Sequence, residues 1–375
     1  VWMWISALLG MMTGCAEKLL SVFYQRPSPG GGLQGGPMFY LRDGAASPLL
    51  AVWFSLACLP ATLTGGNLVQ SSSIAASLEA AFGLNRLLVG MATAVLAGLV
   101  MVGGLGRIAS VSSALVPAMA LLYLGSGAVV LICRASALPD AFRLIFTCAL
   151  SPTAALGGGA GWTVASALRY GVARGVFTNE AGLGTSAMAH GAARVDHPAR
   201  QGMWGIFEVF LSTLVVCTVT ALVVLVSGIW PSDPPAQLSG APLAAAAFGS
   251  VLGSAGESVV ALSLLLFAFS SILGWSYYGQ QCLRYLVGDD RLLPAYRLIF
   301  LTCIPVGAIW DPVLVWQLVD LCNALMALPN LAALLLLSPQ ALRLLAQWTR
   351  QPDAPTRLYG APRRRSRSSF SNDGM

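Results

Sequence analysis

The feature that most constrains this chain is the recurrence of apolar runs about twenty residues long, beginning at its first residues. A helix of that length crosses the hydrocarbon core of a bilayer, and every backbone polar group in it is satisfied internally. Such runs lie near 1–22, 49–82, 87–104, 112–133, 203–229, 255–287, 293–310 and 313–338. A ninth, near 161–190, is weak because it carries Arg169, Arg174, Asn179 and Glu180. Only 10% of the residues are charged, well below the usual share of a soluble domain, so the expected class is an all-α polytopic membrane protein. The short alternating segments of a membrane barrel are absent. The run at 49–82 would reach about 50 Å as a straight helix, so it is expected to tilt or to bend near Pro60 or Gly65-Gly66.

Basic residues test the count. With nine spans, Arg26, Arg42, Arg107, Arg194, Arg200, Arg284 and Arg291 fall on one side, together with the arginines from Arg343 to Arg367. Only Arg86, Arg134 and Arg143 fall on the other, so the positive-inside rule places the C-terminus in the cytoplasm. The expected organisation is a membrane domain over 1–342 and a basic, disordered tail over 343–375. The tail's RRRSR run reads as a topology anchor or anionic-lipid contact, not as a nucleic-acid site. No P-loop, nucleophile elbow or zincin motif is present, and no chemistry of an enzyme or need for a cofactor is expected. The eight cysteines form no CxxC pair and lie mostly in apolar runs, as small hydrophobes do.

Ionisable residues inside spans cost about 2.5–3.5 kcal/mol or more at the bilayer centre. Glu17-Lys18, Glu79, Glu208 and Glu257 have bland readings, at span ends or in first turns where an acid complements the helix dipole. Asp320 lies deeper and could be half of an ion pair. The stretch GVFTNEAGLGT, residues 175–185, differs in kind. Gly182 and Gly184 favour departure from the helix, and Thr178 and Asn179 can satisfy the backbone groups so freed. A helix broken at membrane depth presents carbonyls on one half and N–H groups on the other, a device suited to a zwitterion or a cation. The alternative is a tight helix–helix contact through the glycines, with Glu180 paired to Arg174. Two further polar clusters stand out: Asn67 and Gln70, three residues apart and so on one helix face, and Ser270-Ser271, with Trp275, Tyr277 and Tyr278 following. Hydroxyls such as those of Ser270 and Ser271 suit a monovalent cation or an interhelical hydrogen bond equally well.

The stretch GVARGVFTNEAGLGTSAMAHGAARVDHPARQGMWGIFEVF resembles the signature of the alanine-or-glycine:cation symporter family. The resemblance continues through WMWISALLGM, GGPMFYL, GNLVQSSSIA, FAFSSILGWSYYG and NALMALPNLAALLLLS. It implies a LeuT-type fold of two inverted five-helix repeats in the cell membrane, importing alanine or glycine with sodium or protons by alternating access. It also implies that Asn179 to Gly184 interrupt the sixth core helix. Substrate contacts are then expected from Phe177, Thr178, Asn179, Glu180, Gly182, Asn67 and Gln70, and sodium contacts from Ser270 and Ser271. The substrate carboxylate is expected to face half-helix N–H groups or the bound cation, and its ammonium the unwound carbonyls around 177–181. Two departures accompany the resemblance. The chain opens at what would be the second core helix, without the first and its GTGN-type break, so a non-transporting remnant or interaction protein is the competing expectation. Gln280 and Gln281 stand where a charged pair is expected.

Overall fold

A computed structural model describes residues 1–28, 31–150, 164–229, 240–310 and 312–350. Among these, regular structure is helical apart from a two-residue hairpin, β1 (Arg26–Pro27) against β2 (Leu33–Gln34). The helices are α1 (Trp2–Phe23), the short α2 (Pro37–Phe39), α3 (Pro48–Leu63), α4 (Val69–Phe82), α5 (Arg86–Val102) and α6 (Gly104–Cys133). After them come α7 (Leu138–Leu150), α8 (Val164–Asn179), α9 (Thr185–His190), α10 (Pro198–Val209) and α11 (Thr218–Val226). The last four are α12 (Ala241–Leu252), α13 (Ser254–Val287), α14 (Leu293–Ile309) and α15 (Pro312–Arg350).

Local chemistry explains several boundaries. Asn85 caps α5, its side chain accepting from the N–H groups of Leu87 and Leu88. Pro198 opens α10 behind His197, whose ring accepts from Ala199 N–H. Helices α3 and α4 form one continuous rod of 35 residues, with a wider π turn at Thr64–Leu68 where the sequence carries Gly65-Gly66. The same kind of turn, Phe210–Cys217, joins α10 to α11.

Six helical segments are long and apolar enough to cross a membrane: Trp2–Phe23, Pro48–Phe82, Gly104–Cys133, Pro198–Val226, Ser254–Val287 and Leu314–Arg350. The expected spans at 87–104 and 293–310 are helices of 17 residues each, the first stopped at Gly103-Gly104 and the second at the extended Trp310. The weak ninth run, 161–190, holds α8 and α9, and its residues 161–163 lie outside the described residues. Helix α15 runs unbroken through Pro329 and Pro339 to Arg350, so 343–350 is helical where the tail was expected to start. Residues 351–375, with RRRSR, lie outside the described residues.

Helix α1 packs on α8, α9 and α10; α13 packs on α3, α4, α6 and α12; α14 lies against α4 and α5, and α15 against α3. The main core gathers Phe54, Ile74, Met101, Ile272, Phe300 and Met326, all nearly inaccessible. A second cluster, around Tyr123, Val223, Phe248 and Val260, joins α6, α11, α12 and α13. Large apolar side chains also face outward, among them Leu88, Leu99 and Val102 on α5 and Leu335 and Leu336 on α15. An apolar exterior on this scale is the surface of a protein solvated by lipid.

Candidate substrate and ion site

Helix α8 ends at Asn179, and the chain turns helical again at Thr185. Between them the backbone turns left-handed at Glu180 (φ 55°), Gly182 (φ 91°) and Gly184 (φ 78°). Gly184 is needed twice over: its φ disfavours a side chain, and an added Cβ would lie 2.3 Å from Pro37 Cγ. Glu180, which has a side chain, is held in a conformation rare for such residues. Its Oε2 accepts from Thr185 Oγ1 at 2.7 Å, and Trp275 lies beside it.

The break redirects the hydrogen bonds that a continuous helix would make. Ala181 N–H donates to Asn179 Oδ1 at 3.0 Å, and Gly182 N–H to Glu17 Oε1 at 2.9 Å. The Phe177 and Thr178 carbonyls, which those two groups would have met in a helix, therefore lack their helical partners. On the other side, Gly184 N–H also donates to Glu17 Oε1, at 3.1 Å. Asn330 of α15 completes the clamp, with Nδ2 donating to Glu17 Oε1 at 2.5 Å and to the Gly182 carbonyl at 2.9 Å. Tyr40 OH in turn donates to Asn330 Oδ1. Glu17, Tyr40 and Asn330 are all fully buried.

Glu17 is thus a central part of the site, where its position near the end of an apolar run had given it a bland reading. Its neighbour Lys18 points to α10, with Nζ 2.9 Å from Glu208 Oε2. Nor is Glu208 an isolated first-turn acid: its Oε1 meets His190 Nε2 at 2.7 Å. The N–H groups expected to receive a substrate carboxylate are already occupied by the Glu17 carboxylate, which leaves the free carbonyl end of α8 as the available pole. A group of partial negative charge favours a cation.

The alternative pairing of Glu180 with Arg174 is not formed. Arg174 Nη2 instead meets Asp320 Oδ2 at 2.8 Å, and its guanidinium lies 4.2 Å from the centre of the Trp316 ring. Phe177, one turn further along α8, packs edge-on against Trp316 with centroids 5.0 Å apart. The Phe177 ring also lies against Gly65 of the π turn. Gly66 lies under Trp275 of α13, and a Cβ added there would lie 2.3 Å from Trp275 Cβ and 2.4 Å from its indole Cγ. Phe177, the π turn and Trp275 therefore surround one region beside the break.

The remaining expected residues divide. Gln70 reaches back across the π turn, donating to the Gly65 carbonyl at 3.2 Å. Asn67 turns to α14, where Nδ2 donates to the Phe300 carbonyl at 2.6 Å, as Ser71 does to Ile304 at 2.5 Å. The Asn67 amide nitrogen thus serves as a helix–helix tie. Thr178 Oγ1 donates back to the Arg174 carbonyl. Ser270 donates back to the Phe267 carbonyl, and Ser271 stands one turn before Trp275 on the same face of α13. Asn179 Nδ2 is buried and has no hydrogen-bond partner among the described residues. An apolar cleft of about 390 Å³ runs along the break between α1, α8 and α15, with Ser6, Gly10, Asn179, Gly182 and Leu331 in its wall. The expected charged pair after WSYYG is replaced by Gln280, whose Oε1 accepts from Arg297 Nε and Nη2 at 3.0 and 2.8 Å.

The model of the sodium:alanine symporter family matches residues 1–358. The chain belongs to that family. It is 41% identical to an uncharacterised transporter of Haemophilus influenzae, over 89% of this chain and 73% of the relative. It is 38% identical to the sodium/alanine symporter AgcS of Methanococcus maripaludis, over 90% of this chain and 74% of that protein. The probable sodium/glutamine symporter GlnT of Bacillus subtilis is 35% identical over 94% and 72%. In fold the chain resembles a crystal structure of a manganese transporter mutant from Eremococcus coleocola, with a TM-score of 0.55 and 17% identity over 93% of this chain and 72% of that one. Its place in the sodium:alanine symporter family makes it a multi-pass membrane transport protein.

Proposed function

We propose that this protein is a secondary active symporter that imports alanine or glycine with sodium, by alternating access across the cell membrane. The observation that carries the reading is the break at 180–184, with the Phe177 and Thr178 carbonyls unpaired beside Gly65-Gly66 and Trp275. Support also comes from the family match and from the relative named a sodium/alanine symporter. The fold is a LeuT-type inverted repeat with nine spans, α8 and α9 together forming the broken one, and the C-terminus is cytoplasmic.

In this site the substrate ammonium meets the carbonyls at the end of α8, and the Asn179 amide supplies a further polar contact. Because Glu17 holds the N–H groups of Gly182 and Gly184, the substrate carboxylate pairs with the bound sodium. Ser270 and Ser271 supply hydroxyls to that ion from α13. Phe177 and Trp275 enclose the small side chain, and Gln70 and Glu180 brace the two distorted backbone segments. Sodium couples to the amino acid because each neutralises charge that the other would leave unpaired in a low-dielectric site.

The test is uptake of radiolabelled alanine by the reconstituted full chain. An inward sodium gradient should concentrate alanine inside the vesicles, and removing the gradient should abolish accumulation. Uptake indifferent to both sodium and proton gradients would contradict coupled transport.

A further inference from the structure

The symport reading makes no use of the loop between α1 and α3, yet that loop lies along the second half of the broken helix. Residues 35–37 follow α9 from its end back to its start. A Cβ added to Gly35 would lie 2.7 Å from Gly191 Cα, and one added to Gly36 would lie 2.6 Å from Met188 Cγ. Pro37 then meets Gly184, where the break ends. Without side chains at 35 and 36 the segment lies directly on α9, as a strap. Past it, in the π turn Tyr40–Gly44, Asp43 pairs with Arg26 at 3.0 Å and with Arg42 at 2.8 Å. The Arg42 guanidinium lies 5.6 Å from the centre of the Phe39 ring and 5.7 Å from that of Tyr285 on α13. Gly44 lies against Leu337 of α15, and Tyr24 OH donates to Gln340 Oε1 at 2.7 Å. The loop is therefore fastened to α13 and α15 as well as to α9.

Tyr40 carries the strap inward. Its side chain is fully buried, and its hydroxyl donates to Asn330 Oδ1. The Asn330 nitrogen donates to Glu17 Oε1 and to the Gly182 carbonyl. A carbonyl can only accept, so the Gly182 contact fixes which end of the amide is nitrogen and turns the oxygen to Tyr40. Three hydrogen bonds thus hold the Asn330 amide, and one of them comes from the strap. Without the hydroxyl, that oxygen is a buried acceptor left unmet. The terminal torsion of an asparagine is broad, so the amide is then free to turn away from Gly182.

We infer that Tyr40 is a positioning residue for the amino-acid site: through Asn330 it holds the break in its open geometry and ties the break to the strap along α9. Its hydroxyl acts on Asn330 and, through it, on Gly182. Held by Asn330 and Glu17, Gly182 keeps its N–H away from the Thr178 carbonyl, its partner in a continuous helix. Released, that N–H can return to the carbonyl and occupy the acceptor that the substrate ammonium needs. The strap adds a mechanical link, since α9 and residues 35–37 are too closely packed to part without displacing Pro37 and Gly184. The effect on amino-acid affinity rests on the symport reading; the effect on the backbone does not.

Two measurements on the full chain compare wild type with Tyr40→Phe, which removes one oxygen and keeps the packed ring. Hydrogen–deuterium exchange read by mass spectrometry should quicken by about fivefold at the amides of 181–185, as local opening does when one hydrogen bond is lost. It should stay at wild-type rates in α5, which packs on α14 and α4. Alanine binding in saturating sodium should weaken by about the same factor. Asn330→Ala cuts the same link from the other side and should reproduce both effects. Wild-type exchange at 181–185 in Tyr40→Phe overturns the inference. So does exchange that quickens equally in α5, which is general loosening and not positioning. Alanine affinity equal to wild type, with the break loosened, also overturns it. If the wild-type protein binds no alanine at any sodium concentration, the symport reading fails, and the exchange pattern alone decides whether Tyr40 holds the break.

Discussion

Replacing Glu17 by alanine removes the acceptor of three hydrogen bonds, from Gly182 N–H, Gly184 N–H and Asn330 Nδ2. All three donors are buried, and a buried donor left unmet costs about 1–3 kcal/mol. Water entering the vacated space recovers part of this, so a loss of about 3–5 kcal/mol is expected for Glu17→Ala. Glu17→Gln keeps an oxygen where Oε1 stood but loses its charge, and should cost about 1–2 kcal/mol. The damage falls on the geometry of the break, so it should appear in substrate affinity as well as in stability. If about 2 kcal/mol of it opposes the binding-competent backbone, alanine binding weakens by ~30-fold. The assay is thermal unfolding of the purified protein together with alanine binding in saturating sodium, for all three forms. The order expected in both readouts is wild type, then glutamine, then alanine. Alanine and glutamine variants that both match the wild type in affinity would refute the claim that Glu17 holds the break.

The other expected outcomes concern separate parts of the site. Gly184→Ala forces a Cβ to 2.3 Å from Pro37 Cγ at a φ of 78°, so folded protein recovered by size-exclusion chromatography should fall sharply. Gly66→Ala pushes on the Trp275 indole, and sodium-dependent alanine binding should weaken by about tenfold or more even where the variant still folds. Charge exchange tests the tie between α8 and α15: Arg174→Asp or Asp320→Arg alone should slow uptake, and the two together should restore much of it. Away from the membrane spans, burial pushes the Asp43 carboxyl up, but Arg42 and Arg26 outweigh it and hold the group below the usual carboxylate range. A depressed carboxyl contributes stability that is full above its unfolded titration and lost as pH falls through the folded one. Asp43→Asn should therefore remove part of the acid dependence of thermal stability below about pH 4.

The legible parts of this protein were those governed by local chemistry. The long apolar helices could be read because a bilayer demands long apolar runs, and the break because glycines gather at 182–184; at Gly65-Gly66 a tilt or bend is the expectation and a π turn within a continuous rod is what forms. What could not be read was where a side chain ends up across the bundle. Glu17 meets Gly182 from 165 positions away, and Asn330 meets Glu17 from 313. No spacing rule connects residues so distant, so Glu17-Lys18 looked like the charged end of a helix. Asn67 shows the opposite case: its polar face is visible in the sequence, but not that its amide ties to the Phe300 carbonyl of α14. Asn330 left one faint signal, an amide within NALMALPNLAALLLLS, where an unpaired polar group would be costly. The helices of 17 residues at Arg86–Val102 and Leu293–Ile309 show the limit of hydropathy as well, since Gly103-Gly104 and the extended Trp310 set where each one stops.

The most direct measurement is a structure of the full chain determined with alanine and sodium bound. The account predicts the amino acid beside residues 177–182, its ammonium on the Phe177 or Thr178 carbonyl, with Trp275 and the Thr64–Leu68 turn around it and Glu17 still on Gly182 and Gly184. Alanine bound elsewhere, or a continuous helix through 180–184 in that complex, would contradict it.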